Sequence, residues 1–93
     1  MKTFKSVKIR NEAIKNLREL GFRRSKYQVE VSDYEKFLCG SKFNQELLLV
    51  DFALGRFIWQ GVNGDCANQN SEKFDTNPRY IAILNALYGG EAE

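Results

Sequence analysis

Apolar residues recur at helical spacing in two segments of the chain. In the first segment, Asn11 is a candidate N-cap, and Gly21 stands where a helix often ends in a left-handed residue. Phe22 is then expected to fold back onto Leu17 in a Schellman ending. The apolar stripe consists of Ile14, Leu17 and Leu20. This pattern predicts an amphipathic helix.

The second helical pattern lies near the C-terminal end. Asn77 is a good N-cap, and Pro78 suits the first helical position. The stripe consists of Tyr80, Ile81, Leu84, Leu87 and Tyr88. Two glycines then end the helix. We therefore expect a single domain over residues 1–88, followed by a flexible acidic tail at 89–93.

Shorter patterns before and between the two helices predict strands and one more helix. Residues 3–9 and 27–31 carry β-branched residues with at least partial alternation, as in strands. Residues 32–35 match a capping box, because Ser32 and Glu35 can satisfy each other's backbone amides. We therefore expect a short helix that carries Phe37 and its neighbour Leu38 inward and stops at Gly40.

The most apolar stretch, residues 46–60, fits two structures. As a hairpin, residues 47–52 and 56–60 pair around a turn at 53–55, in which Gly55 takes the left-handed position. As a helix, the stretch would place four apolar residues on one face, but a glycine in its interior would cost about 1 kcal/mol. We favour the hairpin.

The element order defines the expected fold. Residues 61–76 are rich in Gly, Asn, Asp and Ser and predict a long loop, of the kind that is usually functional or mobile. The order is then β-α-β-α-β-β-α. The chain has 93 residues, of which 43 % are hydrophobic, which suits one globular domain. We expect an α+β fold: a small, largely antiparallel sheet of three to four strands with helices packed on one face.

The chain has no histidine, which restricts the chemistry that it can perform. Histidine is the commonest general base and the commonest transition-metal ligand. No phosphate-binding loop and no nucleophile motif compensates for it. Asp51, Asp65 and Asp75 are interpreted as surface carboxylates. We therefore predict a protein that is not an enzyme, with no catalytic residues, no metal and no cofactor.

Two features concern the compartment. No apolar run approaches the roughly 18 residues that a membrane span requires, and no apolar signal segment follows the basic N-terminus. We therefore expect a cytoplasmic protein without membrane contact. Disulfides rarely persist in the cytosol, so Cys39 and Cys66 are expected to be free thiols.

Positive charge is concentrated at the start of the chain. Residues 1–26 hold nine Lys or Arg and two Glu, a net charge of +7, whereas residues 27–93 hold five basic and ten acidic residues, a net charge of −5. Such a segment can neutralise phosphates, although a solvated face that keeps the domain soluble is the favoured interpretation. The candidate nucleic-acid contacts are Lys5, Lys8, Lys15, Arg18, Arg23 and Arg24.

Aromatic, arginine and adaptable polar residues suggest contacts with a protein. Trp59, with Phe57 and Phe52, is either part of the core, which we favour, or part of an exposed patch. The loop at 61–76 supplies polar side chains that adapt well to a partner. The candidate partner-binding residues are Arg23, Arg24, Lys26, Arg56, Trp59, Asn63 and Asp65.

Three functional hypotheses remain. The first is a small non-enzymatic binding protein that occupies a surface of a macromolecular partner, as an inhibitor, adaptor or regulator of the phage or mobile-element type, with a protein as the partner. The second is a nucleic-acid-binding regulator that uses residues 1–26. The third is a binder of a small anionic nucleotide held by Arg23 and Arg24. A homodimer through an exposed sheet edge is compatible with the first.

Overall fold

A computed structural model describes residues 9–25 and 33–88 of the chain. The elements are α1 (Arg10–Glu19), β1 (Arg23–Arg24), β2 (Glu35–Gly40), β3 (Gln45–Asp51), β4 (Arg56–Gln60), β5 (Cys66–Asn68), a 3₁₀ turn (Glu72–Phe74) and α2 (Pro78–Tyr88). The five strands form one antiparallel sheet in the order β1-β2-β3-β4-β5. Each strand therefore pairs with its neighbours along the chain.

The expected fold class is confirmed in outline: a small α+β fold with an antiparallel sheet and two helices. The details differ, because the sheet has five strands and the described part of the chain reads α-β-β-β-β-β-α. The strand expected at 27–31 and the tail at 89–93 lie outside the described residues, as does all but Ile9 of the strand expected at 3–9.

Helix α1 ends as its sequence predicts but begins elsewhere. Gly21 has φ of 100°, its N–H donates to Arg18 O at 2.9 Å, and the N–H of Phe22 donates to Leu17 O at 3.0 Å. These two bonds define a Schellman motif. The N-cap is Ile9 rather than Asn11, which lies inside the first turn.

The helix expected after Ser32 is wrong, because residues 35–40 form strand β2. This strand pairs with β3 along its whole length, from Glu35 opposite Val50 to Gly40 opposite Gln45. Phe37 is 1 % exposed on the side of the sheet that carries the helices. Pairing and burial in the sheet therefore outweigh the local capping signal, which is worth only about 1 kcal/mol.

The hairpin at 47–60 is confirmed, with β3 and β4 pairing from Leu47 opposite Gln60 to Asp51 opposite Arg56. The loop contains four residues, 52–55, one more than expected. Gly55 has φ of 69° and its N–H donates to Asp51 O at 2.9 Å, which closes the loop.

The interpretation of Asp51 as a surface carboxylate is wrong. Asp51 is 1 % exposed. Its Oδ1 accepts the N–H groups of Ala53 and Leu54, each at 3.1 Å, and its Oδ2 lies 3.0 Å from Arg56 Nε. The loop needs this buried acceptor, because its backbone amides are turned away from the sheet hydrogen bonds.

The segment 61–76 is more ordered than the loop expected from its composition. The N–H of Gly61 donates to Asp65 O at 2.8 Å, which closes a tight turn. The chain then returns as β5, in which Ala67 pairs with Trp59. A five-strand sheet results, because a turn rich in Gly and Asn permits a hairpin as readily as an open loop.

The core lies between one face of the sheet and the two helices. Trp59 is 3 % exposed and Phe57 is fully buried, so the interpretation of these aromatics as core residues is confirmed. Phe52 is half-buried, and its ring meets that of Phe37 edge-on at 6.4 Å. The buried apolar residues are Ala13, Leu17, Phe22, Phe37, Leu48, Val50, Phe57, Trp59, Ala67, Tyr80, Ile83, Leu84, Ala86 and Leu87.

Helix α2 begins as expected. Asn77 Oδ1 accepts the N–H groups of Arg79 at 2.9 Å and Tyr80 at 3.1 Å, and Pro78 is the first helical residue. The buried face differs slightly from the expected stripe, because Ile83 is fully buried whereas Ile81 is half-buried.

Replacing Asn77 with Ala should lower the free energy of unfolding by about 1 kcal/mol, because the side chain satisfies two amides at the start of α2. Urea unfolding followed by circular dichroism would measure the change. Asn63→Ala, in the exposed β4–β5 turn, serves as the control. Equal unfolding midpoints for the two variants would contradict the capping role.

Candidate binding surface

The two faces of the sheet have different neighbours. On one face, Phe37, Leu48 and Trp59 align across β2, β3 and β4 and pack into the core with both helices. Side chains alternate between faces along a strand, so the intervening residues point the opposite way. We call this second surface the helix-free face, since neither α1 nor α2 covers it.

Four aliphatic residues are neighbours on the helix-free face. Leu38 pairs with Leu47 across β2 and β3, and Leu49 pairs with Ile58 across β3 and β4. Ile58 is 36 % exposed and the three leucines are half-buried. We call these four residues the aliphatic patch. Side chains paired in this way have Cβ atoms about 5 Å apart, so the patch is continuous.

The aliphatic patch was not predicted from the sequence. A signal for it exists in the run 47–50, Leu-Leu-Leu-Val, which is apolar at consecutive positions. A strand that is apolar on both faces is typical of a sheet covered on both sides. The run was instead interpreted as part of a hairpin, with a helix as the alternative, because the register that places Leu38 and Ile58 beside it was unknown.

Basic residues border the aliphatic patch. Arg23 pairs with Leu38, Lys36 pairs with Leu49, and Arg56 lies two residues before Ile58 on the same face. The Arg23 side chain also donates to Gly40 O at 3.1 Å, which holds it along the sheet. This border therefore lies on the β1–β2 side of the patch and at the β3–β4 turn.

Within the described strands, the carboxylate on the helix-free face is Asp51, and it is already committed to Arg56. The guanidinium of Arg56 also lies 5.1 Å from the ring centroid of Tyr34, a cation–π contact. The charges of Arg23 and Lys36 have no acidic neighbour among the strand residues of this face. Among the described strand residues, the unpaired charge on the helix-free face is therefore positive.

An ion pair between the buried Glu46 and the partly exposed Arg79 lies on the opposite face of the sheet. Arg79 donates to Glu46 through Nη2 at 2.7 Å and through Nε at 3.0 and 3.1 Å. Trp59 Nε1 donates to Glu46 Oε2 at 2.9 Å. Burial opposes ionisation of Glu46, but the hydrogen bonds from Arg79 and Trp59 outweigh it and leave the pKa of the carboxyl lowered. Glu46 is therefore held charged inside the protein.

The same guanidinium connects the ends of other elements. Arg79 Nη2 donates to Leu20 O at 3.0 Å, just past the end of α1, and lies 3.4 Å from Cys39 Sγ on β2. The guanidinium also stacks over the Phe22 ring at 4.9 Å. Burial raises the pKa of the Cys39 thiol, which keeps it protonated beside the ion pair.

A second ion cluster joins α1 to the sheet at the other end. Arg10 donates to Glu35 through Nε at 2.6 Å and Nη2 at 2.7 Å, and Arg24 Nη2 lies 3.1 Å from the same carboxylate. The hydrogen bonds from Arg10 lower the pKa of Glu35 despite partial burial, and the charge of Arg24 adds to this effect. Arg24 is therefore engaged within the protein.

The remaining candidate residues fall on different parts of the molecule. Lys15 and Arg18 are exposed on α1, on the opposite side of the sheet from the aliphatic patch. Asn63 and Asp65 are exposed in the β4–β5 turn. Trp59 is buried with its indole N–H on Glu46, so we do not retain it in the candidate surface. Lys5, Lys8 and Lys26 lie outside the described residues.

The described residues also bear on the predictions about thiols, metal ions and membrane spans. Cys39 and Cys66 are free thiols, as expected. Within residues 9–25 and 33–88, no group of three or more acidic or cysteine side chains is placed to hold a metal ion. Neither described helix combines the length and the apolar character needed to cross a membrane. What the helix-free face offers is apolar contact area with a basic border.

Comparisons of the chain with protein-family models, with curated proteins and with solved structures find no match. The helix-free face combines contiguous aliphatic area with charge of one sign, a combination found where proteins bind one another.

Replacing Arg79 with Ala should lower the free energy of unfolding by about 3 kcal/mol, because the buried Glu46 carboxylate would lose its counter-ion. Arg24→Ala is the matched control, since its half-exposed side chain shares Glu35 with Arg10 and should cost under about 1 kcal/mol. Urea unfolding measures both variants. Similar losses in the two would show that the Glu46 pair has no special role.

Glu35→Gln should reduce the dependence of stability on pH. The folded-state pKa of Glu35 is lowered, so its contribution is present above the unfolded-state pKa and disappears as the pH falls through the folded-state value. The variant should therefore be less stable than wild type at pH 7, and the difference should narrow as the pH falls below the unfolded-state pKa of a glutamate. Urea midpoints measured from pH 7 downwards test this, with exposed Glu72→Gln as the control. A difference in stability that stays constant as the carboxylates are protonated would exclude the ionic explanation.

Proposed function

We propose that this protein is a small non-enzymatic binding protein that acts by occupying a surface of another protein with its aliphatic patch. The observation that supports the proposal is the register that brings Leu38, Leu47, Leu49 and Ile58 together on the helix-free face. An inhibitor, an adaptor and a regulator would all act in this way.

Burying such a patch is energetically favourable. Removing apolar surface from water contributes about 25 cal/mol for each Å², and a sheet with two apolar faces is stable when both are covered. In the described part of the molecule, the helices cover only one face. A partner that covers the other face would complete a layered structure.

The helix-free face is a better candidate for the protein contact than the β5 edge of the sheet. At this edge, the N–H of Asn68 donates to Ser71 Oγ at 2.8 Å, and its carbonyl accepts Tyr80 Oη at 2.6 Å and the N–H of Ser71 at 3.2 Å. A strand added there would meet backbone groups that already have partners. We therefore place the protein contact on the face rather than in an edge-to-edge homodimer at β5.

The described basic residues do not favour a nucleic-acid site. Lys15 and Arg18 lie on the helical side of the sheet, whereas Arg23 lies on the helix-free face. A phosphate backbone would have to contact both sides to use all three. The centre of the helix-free face is aliphatic, whereas single-stranded nucleic acids are bound by aromatic stacking.

A small anionic nucleotide is also less favoured as the ligand. The third hypothesis needs Arg23 and Arg24 together, but their side chains alternate onto opposite faces of the sheet. Arg24 contacts Glu35 on the helical side.

Cytoplasmic action remains part of the proposal, and the two free thiols support it.

Ile58→Glu should strongly weaken binding to a protein partner, because it places a carboxylate within the aliphatic patch. Tagged full-length chain would capture partners from an extract of the native host, and a captured protein would then be purified and its affinity measured directly. We expect a loss of at least tenfold, equivalent to about 1.4 kcal/mol. Leu54→Glu is the matched control, since Leu54 is 67 % exposed in the β3–β4 turn.

Circular dichroism and urea midpoints must show that both glutamate variants are folded. Binding that survives Ile58→Glu, or that Leu54→Glu abolishes equally, would exclude the aliphatic patch as the contact. Retention on heparin that depends on Lys15 and Arg18 and weakens steeply with salt would instead support the nucleic-acid hypothesis.

A further inference from the structure

The aliphatic patch has the width of one helix. Its residues lie on three adjacent strands, Leu38 on β2, Leu47 and Leu49 on β3, and Ile58 on β4. Neighbouring strands are about 4.8 Å apart, so three strands span about 10 Å. An α-helix with its side chains is about 10 Å in diameter. A single helix laid along β3 would therefore cover the patch.

The length of the patch also suits helical spacing. Leu47 and Leu49 are two residues apart on one strand, a distance of about 7 Å. Residues i and i+4 of a helix are separated by about 6 Å along its axis. An apolar stripe with residues at i, i+3, i+4 and i+7 can therefore contact both leucines together with Leu38 and Ile58.

The positive charges at the border of the aliphatic patch determine which charge a partner should carry there. Arg23 and Lys36 lie on the β1–β2 side of the patch, and the strand carboxylate of this face, Asp51, is buried against Arg56. Carboxylates along one border of a partner helix would pair with Arg23 and Lys36, whereas lysines there would be repelled. A second copy of this chain offers Arg23 and Lys36 no acidic border, because the strand carboxylate of its own helix-free face is committed to Arg56.

We propose that the partner presents an amphipathic α-helix whose leucine-rich stripe covers the aliphatic patch and whose acidic border faces Arg23 and Lys36. This inference rests on the proposed function and specifies its partner. The bound helix forms a third layer, so that the sheet is covered by α1 and α2 on one face and by the partner on the other.

Two synthetic peptides provide the direct test. Both are stapled helices of about 18 residues with leucines at i, i+3, i+4 and i+7; one carries glutamates along the border of the stripe and the other carries lysines. Fluorescence anisotropy measures their binding to the full chain. We expect the glutamate peptide to bind at least tenfold more tightly, and its affinity to fall as salt is raised.

Charge reversal on the protein provides the second arm. Arg23→Glu with Lys36→Glu should invert the preference between the peptides, and Arg23→Gln with Lys36→Gln should give an intermediate ratio. Lys15→Glu with Arg18→Glu changes the net charge equally but lies on exposed positions of α1, so the ratio should stay within twofold of wild type. Ile58→Glu should abolish binding of the glutamate peptide.

The outcomes separate this inference from the proposed function. If neither peptide binds, or both bind equally, while the captured partner still requires Ile58, the acidic-helix inference is overturned and the proposed function stands. If no captured partner requires Ile58 for binding, the proposed function is overturned, and the acidic-helix inference, which rests on it, is overturned with it. Binding to phosphatidylserine vesicles that Ile58→Glu abolishes would assign the face to a membrane surface, and concentration-dependent dimers that Ile58→Glu disrupts would assign it to a second copy.

Discussion

The ion pair between the buried Glu46 and the partly exposed Arg79 is the interaction on which the arrangement of elements depends. A carboxylate at a core position of β3 is stable there because Arg79 and the Trp59 indole satisfy it. Arg79 in turn reaches the carbonyl of Leu20 and the ring of Phe22. One guanidinium therefore fixes the start of α2 against β3 and against the turn that follows α1.

This constraint has a consequence for the surface. The ion pair, the aromatic core and both helices lie on one side of the sheet. On the opposite face, Leu38, Leu47 and Leu49 are half-buried and Ile58 is 36 % exposed. A contiguous patch of this kind has a physical explanation if another molecule covers it.

Elements were predicted correctly from the sequence where the residues that stabilise them are close together along the chain. The Schellman ending at Gly21, the Asn77 cap and the β3–β4 hairpin were predictable, because each depends on residues within a few positions of one another. The β2 strand was mistaken for a helix, because its capping-box signal is local whereas its pairing with β3 is not. The fifth strand was hidden in a segment whose Gly and Asn content suits a loop and a turn alike.

The sequence by itself determined a small α+β domain, the boundaries of α1 and α2 to within one or two residues, and the absence of imidazole from its chemistry. Only the tertiary structure decided that Asp51 and Glu46 are buried and that the aliphatic patch exists. The physical reason is that side-chain alternation places residues on faces, but strand register decides which of them become neighbours. Register depends on contacts between strands that no single segment encodes.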